Sequence, residues 1–180
     1  MSGDDSIRPP ASPPCYASEA DPAYMGYLPN DELAERLNVL LEAERAGVRV
    51  GAVLDHEATN PDLKAIASQL RRDEAHWCQV LSEALVRLGA QPSTKVGDFY
   101  EKVMAIEGFE ARLAFVNRGQ AWVARKVREL LPKIADDRLH AELRAMLEGH
   151  DSNIALAEQA LARAGGGSPP TPEASDRRTP

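Results

Sequence analysis

GAQPSTKVGDFYEKVMAIEG, residues 89–108, is the stretch whose reading decides how this chain folds. It lies between two pairs of amphipathic helical segments and is far longer than adjacent antiparallel helices need, about 2–8 residues. Pro92, Gly97 and Gly108 interrupt it, and a short amphipathic piece surrounds Phe99, Val103 and Ile106. At roughly 3.3 Å per extended residue, such a connection can travel the length of a bundle. The expectation is an all-α four-helix bundle of two tight antiparallel hairpins joined by a long crossover, with the second and third long helices parallel. The alternative is one long helix over Asp98 to Leu131 in an up-down-up-down bundle.

Working outward, each flanking segment carries its own start and stop signals. The first helix is expected from Asn30 or Asp31, both good caps, to about Glu57, with Leu33, Leu37, Leu40, Leu41, Val48 and Ala52 inward. The second opens with Asn60-Pro61-Asp62, a cap, a first-turn proline and an acid. Its inward stripe reads Leu63, Ile66, Leu70, Trp77, Val80, Ala84 and Leu88, and Gly89 stops it. The third runs from Phe109 to Leu131 through Leu113, Val116, Val123, Val127 and Leu130, with Pro132 at its end. The fourth runs from Asp136 or Asp137 to Ala164, with Leu139, Leu143, Met146, Leu147, Ile154, Ala157 and Leu161 inward.

A few polar residues break these stripes near mid-helix. Glu44 falls on the buried line of the first helix. Asp73 and His76, three apart, share a face of the second. Gln120, with Asn117 a turn away, interrupts the third, and His150 the fourth. Burying such groups without partners costs roughly 2–7 kcal/mol each, so they are expected to approach one another and to bind each other, water or a metal. Glu44, Asp73, His76, Asn117, Gln120 and His150 therefore form the expected polar network, with Glu44, Asp73, His76 and His150 as candidate metal ligands. Arg72 and Arg118 are within sequence reach to neutralise the acids. His56 and His140, at helix ends, read as surface.

The layout resembles the ferritin-like superfamily, in which one Glu from each of two helices and a Glu-x-x-His from each of the other two hold a pair of metals. The resemblance covers about residues 30–164. Glu44 matches the first-helix Glu and Asp73-x-x-His76 the second-helix motif, with a shorter acid. Gln120 replaces the third-helix Glu, and Leu147 stands where the fourth-helix acid belongs, leaving His150. The leader Tyr24-Met25-Gly26-Tyr27-Leu28 and the run Leu41-Glu42-Ala43-Glu44-Arg45-Ala46-Gly47 further resemble a small uncharacterised bacterial branch of that superfamily. What the resemblance implies is a degenerate di-metal site. Two carboxylates and two histidines suit one divalent ion, iron, manganese or zinc, better than two, which argues against ordinary di-iron oxidase chemistry.

Two functions of different class follow. One is a metal-free binding or interaction module whose polar centre is a structural network, and the missing acids on the third and fourth helices favour it. The other is a mononuclear non-haem metal protein with a redox or oxidative-stress role. Four mid-helix glycines, Gly47, Gly51, Gly119 and Gly149, either seat Trp77 and Trp122 or leave room for a small ligand. Phe115, Gly119 and Trp122 form a second stripe on the third helix, read as core packing with a homodimer seam as the alternative.

Bulk properties exclude other classes. A net charge of −7 with dispersed arginines gives no footprint for nucleic acid or a membrane surface. No apolar run reaches membrane-span length, and residues 1–29 lack an export signal. That segment, rich in Pro, Ser, Ala and Asp, is expected to be a disordered arm, with Tyr24 to Leu28 as an apolar strap. Residues 165–180 are expected to be a disordered tail. Cys15 and Cys78 make no disulfide framework, which points to a reduced, cytoplasmic protein.

Overall fold

The computed structural model describes residues 25–165; the disorder expected for 1–24 and 166–180 lies outside the described residues. Helix α1 spans Asn30–Glu57, α2 Pro61–Arg87, the short α3 Phe99–Met104, α4 Phe109–Leu130 and α5 Asp137–Gly165. A single 3-10 turn, Leu131–Lys133, follows α4, where Pro132 cannot continue the α-helical hydrogen bonding. The chain is all-α, with no strand among the described residues. None of its described helices is long and apolar enough to cross a membrane.

Local chemistry accounts for most of the boundaries. Asn60 caps α2 by accepting from the backbone N–H groups of Asp62 and Leu63, and Gly89 follows the helix at φ 75°, a conformation that favours glycine. Asp136 accepts from the Leu139 N–H at 2.6 Å to start α5. The start of α1 differs from expectation: Asn30 is already helical, Pro29 precedes it, and no side chain caps the turn. Leu28 packs on the core and donates its N–H to the Lys133 carbonyl at 2.9 Å, so that part of the expected strap is present.

Contacts between helix ends give the directions. Asp55 of α1 meets Ser68 and Arg71 of α2, across the first hairpin turn. Arg112, at the start of α4, pairs with Glu57, at the end of α1, at 2.7 Å, so α4 runs antiparallel to α1. Arg87, at the end of α2, meets Glu142, near the start of α5. Helices α2 and α4 are therefore parallel, and the chain between them passes along α1. Asn38 holds Gln91 and Ser93, and the Gly97 N–H donates to the Glu42 carbonyl at 3.0 Å. Further along, Tyr100 of α3 lies beneath the Arg49 guanidinium, 4.2 Å from the ring centre.

The apolar interior is divided. One cluster gathers Leu37, Leu40, Leu41, Trp77, Leu81, Val123, Leu143 and Met146; the other gathers Val50, Leu54, Ala67, Leu70, Val103, Leu113, Val116 and Ala157. On every long helix the boundary between them is a polar residue: Glu44, Glu74, Gln120 and His150.

The stripes read from sequence hold for α4 but slip elsewhere. On α1 the line turns after Glu44 to Val50 and Leu54, leaving Val48 half-buried and Ala52 exposed. On α2 it follows Leu63, Ala67, Leu70, Glu74, Trp77, Leu81 and Ala84, so Ile66 and Val80 are only half-buried. On α5, Leu147 and Ile154 are likewise half-buried and Ala160 is buried instead. His56 is exposed, as expected, whereas His140 is half-buried.

Candidate metal centre

Alternating steps of three and four residues place one polar side chain from each long helix in the layer between the two apolar clusters. Glu44 is 0 % exposed, Glu74 3 %, Gln120 5 % and His150 1 %. A carboxylate oxygen from each acid and a ring nitrogen of His150 lie within 4.8 Å of one another. The His150 Nε2 faces Glu44 Oε1 at 3.3 Å.

The orientation of His150 is set by its own helix. Its Nδ1 lies 3.0 Å from the Met146 carbonyl oxygen, which only accepts, so Nδ1 carries a proton and donates it. The lone pair of the neutral imidazole is then on Nε2, aimed at Glu44. Gln120 Nε2 donates to Glu74 Oε1 and fixes that carboxyl. Gly47 is what lets Glu74 fit: a Cβ there would collide with the Glu74 carboxyl, so α1 is bare where α2 sends in its acid.

The layer is rich in acceptors and poor in donors. Both Glu44 oxygens, His150 Nε2, Gln120 Oε1 and the Trp77 indole N–H are buried without a hydrogen-bond partner. Burial pushes the Glu44 carboxyl up to about 7, offset in part by the neighbouring Glu74 side chain. Glu74 is held well above the usual carboxylate range, first by burial and then by the charge of Glu44. Cys78, one turn beyond Glu74, stays a thiol, pushed up to about 12 by burial and then by the two acids. Two carboxylates and an imidazole lone pair converging in a buried layer are a donor set for a divalent cation, whose charge they would balance. The unpartnered lone pairs fit such an ion.

Among the residues singled out from sequence, Glu44, Gln120 and His150 come together. Asp73 and His76 do not. Asp73 is half-buried on the side facing α5, where it accepts from Gln69 at 2.6 Å and Asn153 at 3.0 Å. His76 is exposed, its ring tilted against Trp77 with centroids 4.5 Å apart. The inward acid of α2 is Glu74, one residue further, because the buried line passes through Ala67 and Leu81 rather than Ile66 and Val80. Asn117 sits beside the layer and donates to the Ile154 carbonyl at 3.3 Å. Neither arginine reaches in: Arg72 donates to Gln69, and Arg118 lies over the Phe115 ring.

A cleft of about 510 Å³ between α1, α3 and α4 leads to this layer, with Glu74 and Gln120 at its floor. It is the surface approach to the centre that sequence reasoning gave no sign of, beyond the two glycines, Gly47 and Gly119, that line it.

Residues 31–160 match the family described as a domain of unknown function, DUF6306, and the chain belongs to that family. No curated protein matches the chain.

Proposed function

We propose that this chain is a mononuclear metal protein, a ferritin-like four-helix bundle over about residues 30–164 that holds one divalent cation, iron, manganese or zinc, between Glu44, Glu74 and His150. The observation that carries this reading is the buried, donor-poor trio of Glu44, Glu74 and His150 Nε2. Two carboxylate charges match one dication, and carboxylate with imidazole suits those three metals. Gln120 and the Met146 carbonyl act as positioning groups, orienting one carboxyl and the imidazole respectively. Measured against the ferritin-like pattern, the second-helix motif becomes Glu74-x-x-Trp77, with Trp77 in place of one histidine and Leu147 in place of one acid. What is left is a single-ion subset of a two-ion site, so the ordinary di-iron reaction is not expected.

A metal-free structural network is the competing reading, and the raised Glu44 and Glu74 carboxyls favour it. In that reading a protonated Glu74 would donate to Glu44, and a protonated Glu44 would donate to His150 Nε2. The same positions thus hold either protons or a cation. The 3.3 Å between Glu44 and His150 is longer than the roughly 2.5–3.2 Å of protein hydrogen bonds, which supports the cation.

Elemental analysis of untagged protein, as purified and after incubation with each metal, tests the choice. One equivalent in the wild type, lost in Glu74→Gln and His150→Ala, is the expected result. Wild-type protein that stays metal-free after incubation would refute the proposal.

A further inference from the structure

We propose that the cleft above the centre binds a small monocarboxylate with an apolar body, its head at Arg118 and its body over Phe99, Phe115 and Trp122. This rests on the metal-centre reading in one respect, that Glu74, the floor of the cleft, belongs to a working site. The cleft's volume of about 510 Å³ falls in the range of small-molecule sites, about 300–1,000 Å³.

Its shape is built by omission. A Cβ on Gly119 would run into the Phe99 ring, and one on Gly47 would strike the Glu74 carboxyl. Phe99 stacks on Phe115 with centroids 5.4 Å apart, giving the body of a ligand a flat aromatic wall. Polar occupancy of that wall is unfavourable, so the body is apolar.

The charges select the head. Asp98 and Lys102 cancel each other at 2.7 Å, and Glu42 is engaged by the Ser93 hydroxyl, fastening the connection to α1. Arg118 has no acidic partner among the described residues; its guanidinium rests 4.9 Å from the Phe115 ring centre. A planar guanidinium lying on an aromatic wall beside an apolar cleft is shaped to pair with a carboxylate in two-pronged fashion. At the other end, Gln120, 5 % exposed, keeps its Oε1 unpartnered where the floor meets the centre.

Calorimetric titration of the full chain with octanoate, octan-1-ol and octylammonium tests the assignment, with metal content measured on the same samples. Octanoate should saturate at one equivalent and bind about tenfold more tightly than octanol, the equivalent of ~1.4 kcal/mol for a partly exposed charged pair. Arg118→Gln, a change at an exposed position, should bring octanoate to the level of octanol and leave octanol unchanged. Val39→Phe, at the exposed mouth of the cleft, should weaken both. Equal binding of acid and alcohol, preference for octylammonium, indifference to Arg118→Gln, or no saturable binding overturns the proposal. Metal retained with no octanoate binding defeats the cleft alone; octanoate binding without metal defeats the metal centre alone.

Discussion

Asp73 and Glu74 are consecutive on α2, and the two carboxylates occupy very different surroundings. Asp73, at the seam with α5, accepts one amide N–H on each oxygen, from Gln69 and Asn153, and Arg72 closes the far side through Gln69. That region balances donors and acceptors within itself, as a structural network does. Glu74 turns the other way, into a layer where it meets a second buried carboxylate and an imidazole lone pair, with one amide donor among them. The seam is finished without a ligand. The centre needs protons or a cation to be complete. The contrast separates a polar cluster whose partners are supplied by the chain itself from one whose buried lone pairs are left open.

The largest way to break the contrast is to supply the cation. Metal at about a thousand times its dissociation constant should stabilise the folded protein by roughly 4 kcal/mol. Thermal or denaturant unfolding with and without metal should show that gain in the wild type and in Asp73→Ala, and show none in Glu74→Gln or His150→Ala.

Protons come next. Burial raises Glu44 from 4.5 to about 7, so its contribution to stability is fully present below 4.5 and is lost as pH rises through 7. Metal-free protein should therefore lose about 3 kcal/mol between pH 4.5 and 8, with Glu74 acting in the same direction. Denaturant titrations across that range check it. In Glu44→Gln the decline should shrink, and metal-loaded protein should show no such loss, since the cation holds both acids ionised. A wild-type profile that rises with pH over this window would contradict the assigned burial.

Smaller again is the seam itself. Asp73→Ala should cost about 1–2 kcal/mol by orphaning the amides of Gln69 and Asn153, equally with and without metal. The smallest expected effect sharpens the register of α2: His76→Ala, at an exposed position, should change stability by under about 0.5 kcal/mol and leave metal content unchanged.

Much of this was legible in the residues. Pro and Gly marked the ends, and the length of residues 89–108 foretold parallel α2 and α4, with a helical piece at Phe99. Glu44, Gln120 and His150 were readable because Leu41, Val116, Val123 and Met146 bracket them at helical spacing. Glu74 was missed for a physical reason. Its line passes through Ala67, a weak apolar marker, while Ile66 and Val80 pull the eye to an adjacent line that runs through Asp73. Leu70 four residues before Glu74 and Trp77 three after it carried the right signal. The acid-x-x-His spacing of Asp73 and His76 completed the misreading. The cleft was not legible, because it depends on how far α3 stands off α4, which no periodicity records.

The clasp between the crossover and α1 bears on the centre in a way its position conceals. Four helices with apolar stripes can slide past one another by a turn, about 5.4 Å, and still find apolar partners. A slip of that size would carry His150 and Gln120 away from Glu44. Asn38 gripping Gln91 and Ser93, Gly97 bound to the Glu42 carbonyl, and Arg112 tied to Glu57 together set the axial stagger of one hairpin against the other. The connection is thus a ruler, and the separation of the four buried polar side chains is a length it measures.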